Sequence, residues 1–152
     1  MTLKAILGVG LLVLAGIQML GPARTNPPSS PAQALSAKVQ IPDPVQKVLA
    51  RSCADCHSHA TQWPWYSYVA PVSWGVIGDV NNGRDHMNLS DWHYSPEEGA
   101  ELIDGICKQV RRKRMPLTAY TWLHRDSKLS DEEIKQVCAW SKDAAEQLVP
   151  SH

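Results

Sequence analysis

The stretch Cys53-Ala54-Asp55-Cys56-His57 decides how the rest of this sequence is interpreted. Two thiols separated by two residues, with an imidazole directly after the second, form the C-x-x-C-H pattern of c-type haem attachment. Because this spacing closes about one helical turn, both sulfurs can bond one edge of a porphyrin while His57 reaches the iron. The pattern predicts one covalently attached haem c, with Cys53 and Cys56 as attachment points and His57 as the proximal ligand. Zinc half-sites and redox C-x-x-C pairs remain alternatives.

The composition excludes some functional classes. Lys plus Arg and Asp plus Glu number 15 each, so the overall charge does not favour binding to nucleic acid. The sequence has no G-x-S-x-G motif, no phosphate-binding loop and no recognisable pair of catalytic carboxylates. We therefore expect an electron carrier and not an enzyme. Phe is absent while Trp numbers six, which suits either a cofactor pocket or an ordinary core.

The first 40 residues predict export. Residues 1–24 contain Lys4 followed by an apolar run over residues 5–20. As a helix this run would be about 24 Å long, short for a membrane span and long for a signal peptide. We expect an uncleaved anchor that holds the protein on the periplasmic side of a bacterial inner membrane, with cleavage and release into the periplasm as the alternative. Residues 25–40 are rich in Pro and Ser and predict a flexible tether, and residues 41–149 form the folded domain.

Hydrophobic periodicity and capping patterns predict that this domain is all-α. Asp43-Pro44 begins a short helix that leads into the haem motif. The strings Ser95-Pro96-Glu97-Glu98 and Ser130-Asp131-Glu132-Glu133 are capping boxes. They begin a middle helix that ends near Val110 and a terminal helix that ends near Leu148. Between residues 61 and 92, three glycines and two prolines interrupt the periodicity, so we expect loops and short helices there.

The order helix, C-x-x-C-H, loops, helix, Met-Pro pair and closing helix is similar to the class I cytochrome c plan. Several further strings resemble the bacterial haem-binding-domain family of small exported C-x-x-C-H proteins. These are Thr61-Gln62-Trp63-Pro64-Trp65-Tyr66-Ser67, Ala70-Pro71-Val72-Ser73-Trp74, Gly83-Arg84, Asn88-Leu89-Ser90-Asp91-Trp92, Met115-Pro116, Tyr120, His124 and Leu129-Ser130. The resemblance implies a small helical domain around a covalent haem. Asp79 departs from the family pattern, because a histidine is at least as readily expected at this position. Cys107 and Cys138 are additions to the pattern.

Met115 is the predicted sixth ligand of the iron. Its thioether is a soft donor that favours ferrous iron, and the class I plan takes its methionine ligand from a late loop. Met87 is the competing methionine, and a methionine that only fills the core is a further interpretation. His59 is too close to the attachment point to reach the opposite face. The other histidine candidates are His86, His93 and His124.

Other residues are predicted to surround the haem. Arg84 is a candidate partner for a propionate, and Trp63 and Trp65 are candidates for the pocket wall, although core packing explains most aromatic residues equally well. A basic cluster just before Met115 predicts a dock for an acidic redox partner, or a solvated helix terminus. The cluster comprises Lys108, Arg111, Arg112, Lys113 and Arg114.

The two cysteines outside the haem motif, Cys107 and Cys138, predict a disulfide between the middle and terminal helices. Two free buried thiols are the alternative. The whole pattern predicts a membrane-tethered monohaem cytochrome c that transfers single electrons on the periplasmic side. The competing hypothesis is a haem-based sensor or a peroxidase-like protein whose sixth iron position is open or labile.

Overall fold

The computed structural model describes residues 2–149, and all regular structure in this range is helical. The α-helices are α1 Leu3–Ile17, α2 Asp43–Ser52, α3 Ala54–His57, α4 Val72–His86, α5 Pro96–Arg111, α6 Thr118–Leu123 and α7 Asp131–Leu148. Short 3-10 turns lie at Pro31–Gln33, Leu35–Ala37, Trp65–Tyr68 and Arg125–Ser127. The prediction of an all-α fold is confirmed.

Both long helices of the domain begin at the capping boxes that the sequence predicts. In α5, Ser95 accepts a hydrogen bond from the backbone N–H of Glu98, whose carboxylate accepts from the Ser95 N–H. In α7, Ser130 and Glu133 form the same reciprocal pair. Each box satisfies backbone donors that have no partner inside the helix, so the local sequence fixes where each helix starts.

The hydrophobic core lies between α2, α5 and α7. Ile103 of α5 and Val137 of α7 are completely buried at its centre. Trp140, also buried, donates its indole N–H to the carbonyl of Gln40 at 2.9 Å. The polar end of this large side chain is therefore satisfied, which allows its apolar body to fill the core.

A disulfide between Cys107 and Cys138 links α5 to α7. The bond closes a loop between cysteines 31 positions apart in sequence. By restricting the unfolded chain, a loop of this length stabilises the fold by about 3–4 kcal/mol.

Residues 25–40 do not form the free tether that their composition predicts. Leu35 and Val39 are buried in the core, and the Leu35 N–H donates to the carbonyl of Leu89 at 3.0 Å. The carbonyl of Gln33 accepts from the Trp92 N–H at 2.7 Å. The packed domain thus begins before residue 41, because two apolar side chains within a Pro- and Ser-rich stretch find sites in the core.

The first helix is held to the domain only at its C-terminal end. None of the side chains of α1 is buried. Just after α1, the amide of Gln18 donates to the Ala70 carbonyl and accepts from the Ala70 N–H, at 3.3 and 2.9 Å. Arg24 donates to the Ser67 carbonyl and lies over the ring of Tyr68. Among residues 2–149, no helix has both the length and the apolarity needed to cross a membrane.

Helix α4 occupies the stretch where loops and short helices were predicted. Ile77 and Val80 face the interior three residues apart, which gives this glycine-containing helix a buried side. A Cβ atom on Gly83 would lie 2.5 Å from the carbonyl oxygen of Cys56. The packing of α4 against α3 therefore requires glycine at position 83. Because glycine has a low helix propensity, the same residue weakens the helical pattern of α4 in the sequence.

Replacing Gly83 with alanine tests this close contact. We expect Gly83→Ala to destabilise the protein by about 1–3 kcal/mol, because the added methyl group must push α4 away from α3. The matched control is Gly78→Ala in the same helix, where a Cβ has nothing within 4 Å. This change should leave the stability equal or raise it by up to ~1 kcal/mol. Urea unfolding measures both, and equal effects of the two substitutions would contradict the assignment.

Candidate haem site

A cavity of about 710 Å³ opens between α2, α3, α4, α5 and the segment that follows α5. Its volume lies within the range of about 300–1,000 Å³ that is common for ligand and cofactor pockets. Cys53, Cys56 and His57 all line it. Its other apolar or sulfur-containing wall residues are Leu49, Met87, Leu102, Ile106, Val110, Met115, Pro116 and Leu117.

The backbone at the end of α4 orients the imidazole of His57. Nδ1 lies 3.0 Å from the carbonyl oxygen of Met87. Because a carbonyl can only accept, Nδ1 carries the hydrogen and the lone pair of Nε2 remains free for a metal. Burial lowers the pKa of His57, which favours the neutral imidazole that metals bind.

The surroundings of the two thiols near His57 favour their protonated form. Burial raises the pKa of Cys53 to about 12, with a further contribution from Cys56. Burial and the neighbouring carboxylates of Asp79 and Asp55 raise the pKa of Cys56 to about 11. Redox C-x-x-C pairs react as thiolates, so this environment disfavours redox chemistry at the pair. Among residues 2–149, no three His, Cys, Asp or Glu side chains are grouped as a metal site.

The wall chemistry fits a largely apolar group that also carries polar atoms. The hydroxyl of Ser52 lines the cavity, is buried and has no protein partner among the described residues. Such an orphaned polar atom is consistent with a cavity that is completed by a bound group. Asn82, Tyr94 and Gln109 add uncharged donors to the wall. Its acidic members are Asp55, Asp79, Glu98 and Glu101.

Residues 12–143 match the Haem-binding domain family. The chain belongs to this family. It is also similar to the cytochrome c peroxidase Ccp of Escherichia coli (strain K12), with 29% identity over 106 residues. That alignment covers 63% of this chain and 22% of the peroxidase, so the chain spans about a fifth of the length of this relative. No solved structure matches the chain.

The similarity to a peroxidase corrects one prediction. The absence of familiar catalytic motifs led us to expect a protein that is not an enzyme, and this exclusion is wrong because a relative is a cytochrome c peroxidase. Motif absence has little weight for such proteins, since a haem cofactor supplies the reactive chemistry and leaves no nucleophile or carboxylate pair to find. The partial match does not by itself show that this chain has enzyme activity.

Arg84 does not line the haem cavity and is corrected as a propionate partner. Its guanidinium group donates hydrogen bonds to four oxygen atoms at 2.7–2.9 Å. These belong to Ser58, Thr25, Asn26 and Thr61. The Arg84 side chain therefore links the N-terminal segment to the residues that follow the C-x-x-C-H motif. No Lys or Arg lines the cavity within residues 2–149.

Trp63 and Trp65 are also absent from the cavity wall. Trp65 is 78% exposed in the turn Trp65–Tyr68, and its ring meets Tyr66 edge-to-face. The aromatic string thus lies outside the pocket. Aromatic composition alone could not distinguish a pocket wall from a surface turn.

Met115 lines the cavity and is 37% exposed, whereas Met87 is buried in the core. The Met87 backbone carbonyl accepts a hydrogen bond from the His57 ring, so Met87 lies on the same side of the cavity as that imidazole. His86 lines the cavity too, while His59, His93 and His124 do not. Met115 as the sixth ligand remains a prediction, with His86 as the alternative that the cavity leaves open.

Asp55 and Tyr120 form a polar contact at the cavity that the sequence interpretation missed. The Tyr120 hydroxyl donates to Asp55 Oδ2 at 2.8 Å, and both residues line the cavity. Burial and this bond to a carboxylate raise the pKa of Tyr120, so the hydroxyl stays protonated and continues to donate. Tyr120 lies in the family strings, but nothing in its local sequence indicates a partner 65 residues away.

The basic cluster lies beside the cavity. Gln109 and Val110, which lie between members of the cluster, and Met115, which follows it, line the cavity. Lys108 forms an exposed ion pair with Asp104 at 2.6 Å. The remaining members, Arg111, Arg112, Lys113 and Arg114, are exposed and form no salt bridge within the described range.

Proposed function

We propose that this chain attaches one haem c through Cys53 and Cys56, ligates its iron with His57 and transfers single electrons. The observation that carries the proposal is the meeting of both thiols and the oriented imidazole on one cavity of about 710 Å³. When bound, the haem supplies one-electron chemistry. The protein orients the ligand through Met87 and encloses the group in an apolar wall, two properties that tune a reduction potential.

Met115 is proposed as the sixth ligand. Its side chain is partly exposed and lies on the cavity wall formed by the segment that follows α5, far in sequence from the attachment motif. A thioether ligand favours the ferrous state and raises the potential. Partial exposure of this wall is consistent with transfer through a haem edge that a partner can approach.

A second candidate function is reaction with peroxide. It is favoured by the similarity to a cytochrome c peroxidase, and it requires a sixth position that can open. The two candidates differ in how firmly that position is held, which ligand substitution measures.

The first test combines haem analysis with two variants. We expect matured protein to keep its haem after denaturation, with a pyridine haemochrome typical of two thioether bonds, because both cysteines face the cavity. Met115→Ala should lose the low-spin spectrum with its sulfur-to-iron band, while His86→Ala should keep it. Colourless protein would contradict the proposed cofactor. Loss of the low-spin signature in His86→Ala alone would assign the sixth position to His86. Rapid reaction of the unaltered protein with peroxide would favour the second candidate.

We further propose that the basic cluster docks an acidic redox partner. Four exposed cations beside the cavity would raise the local concentration of anions near the haem edge. This attraction steers encounter and weakens as salt screens it.

Small redox probes of opposite charge test the docking proposal. We expect Arg112→Glu combined with Lys113→Glu to slow oxidation of the reduced protein by ferricyanide several-fold at low salt. Oxidation by tris(1,10-phenanthroline)cobalt(III) should become faster, since this probe is cationic. Stopped-flow absorbance measures both rates. Lys142→Glu on α7 is the control, and an effect of the same size in that variant would reject a local dock.

We propose that the protein is anchored on the periplasmic side of the inner membrane by α1, with release after cleavage as the alternative. The proposal is supported by the exposed apolar surface of α1. The Gln18–Ala70 and Arg24–Ser67 contacts would then hold the domain close to the bilayer.

Fractionation tests the anchor. We expect the full chain to stay in the membrane fraction after a high-salt wash, and Leu11→Lys with Leu12→Lys to release it, because charges disfavour burial in lipid. Mass spectrometry of the mature protein decides between anchoring and cleavage. A mature chain that lacks residues 1–24 would contradict the anchor.

A further inference from the structure

The cavity has two walls that are held in different ways. On one side, α5 contributes Leu102, Ile106 and Val110, and the helix is fixed by the core and by its disulfide to α7. On the other side, residues 111–126, here called the outer wall, contribute Met115, Pro116, Leu117 and Tyr120. No side chain of the outer wall is buried, and this includes all of α6. Hydrophobic burial therefore contributes little to holding this wall in place.

Two side chains of the outer wall connect it to the rest of the domain. Tyr120 donates its hydroxyl hydrogen to Asp55 in the haem-attachment helix. His124 Nε2 lies 2.6 Å from the hydroxyl of Tyr66 in the Trp65–Tyr68 turn. The rings of Tyr120 and His124 stack with their centroids 4.4 Å apart, so the two contacts form one unit. We call this unit of Tyr66, Asp55, Tyr120 and His124 the latch.

Within the latch, Asp55 is itself held by two further hydrogen bonds. Asp55 Oδ1 accepts from the Gln62 N–H at 2.9 Å, and its carbonyl accepts from the Thr61 hydroxyl at 2.7 Å. The carboxylate is thus fixed in position before Tyr120 binds to it. A hydrogen bond to a charged acceptor is also stronger than one between neutral groups. The latch consequently gives the outer wall a few specific contacts where a packed core is missing.

The ends of the outer wall are fixed, which makes the segment between them a strap. At one end, the Arg114 N–H donates to the Gln109 carbonyl, and Lys113 adopts a φ of 54°. At the other end, Ser127 is fully buried and donates to the carbonyl of His124. Between these points, movement of the strap away from the cavity would break the latch contacts.

We propose that Tyr120 and His124 are positioning residues that hold Met115 over the cavity, and that breaking their contacts with Asp55 and Tyr66 opens the sixth iron position. This inference rests on the proposed haem function and concerns how firmly that site is closed. The latch sets the balance between a closed site suited to electron transfer and an open site that small ligands enter. With haem bound, opening would be a ligand exchange only, in which the Met115 thioether would give way to an incoming ligand and no electron would be transferred.

Imidazole binding to the ferric holoprotein tests the latch. The observed rate should reach a plateau at high imidazole concentration, because opening of the strap then limits binding. We expect Tyr120→Phe to raise the plateau roughly tenfold or more, since it removes a hydrogen bond to a charged group and keeps the ring. Tyr66→Phe should raise it several-fold. Tyr68→Phe is the matched control, because Tyr68 is exposed and lies outside the cavity, and its plateau should not change.

Tyr66→Phe carries the decision, because Tyr66 does not line the cavity and cannot contact the incoming ligand. Hydrogen exchange gives an independent readout. The Thr121 and His124 amides, which donate to the Leu117 and Tyr120 carbonyls, should exchange faster in both latch variants, while α7 amides keep their protection. Unchanged plateaus and exchange in both variants, with the Met115 spectrum intact, would overturn the latch and leave the haem proposal standing. Absence of covalent haem, or a sixth ligand other than Met115, would count against the proposed function instead.

Discussion

The close approach of α4 to α3, the helix that contains Cys56 and His57, is the contact on which the site depends. At Gly83 the α4 backbone meets the Cys56 carbonyl so closely that no side chain fits between them. From this contact α4 runs one further turn to Met87, whose carbonyl receives the hydrogen on His57 Nδ1. The His57 carbonyl then accepts from the Leu89 N–H at 2.7 Å. A single contact between α3 and α4 therefore fixes both the position of Cys56 and the orientation of the His57 imidazole.

The two walls of the cavity divide stability and access between them. The α5 wall belongs to the core and shares a disulfide with α7, so its position follows from global folding. The outer wall carries Met115 without any buried side chain, and its position follows from local polar contacts. Local opening of such a segment needs less free energy than unfolding of the domain. A site built this way can be stable as a fold while the wall that carries Met115 stays adjustable.

Local signals predicted the parts of the fold that are locally encoded. Ser95 and Ser130 begin α5 and α7 where the capping boxes lie, because a cap is satisfied within four residues. Helix α4 was missed because it packs on α3 and on the Trp65–Tyr68 turn, which are tertiary contacts, while its glycines lower the local helix propensity. Arg84 was misassigned for a related reason. A charged side chain indicates that it needs oxygen partners, but its sequence does not say which ones, and Thr25 lies 59 residues away.

The balanced charge of the chain conceals a charge separation along α5. Glu97 and Glu98 lie in the first turn of this helix, while Lys108 and Arg111 lie in the last. This order complements the helix dipole, which favours anions at the N-terminus and cations at the C-terminus. The cations of residues 112–114 continue the positive end beyond the helix and beside the cavity. A solvated helix terminus and a docking surface are therefore compatible interpretations of the same residues, since the cations that stabilise the end of α5 remain exposed to an approaching anion.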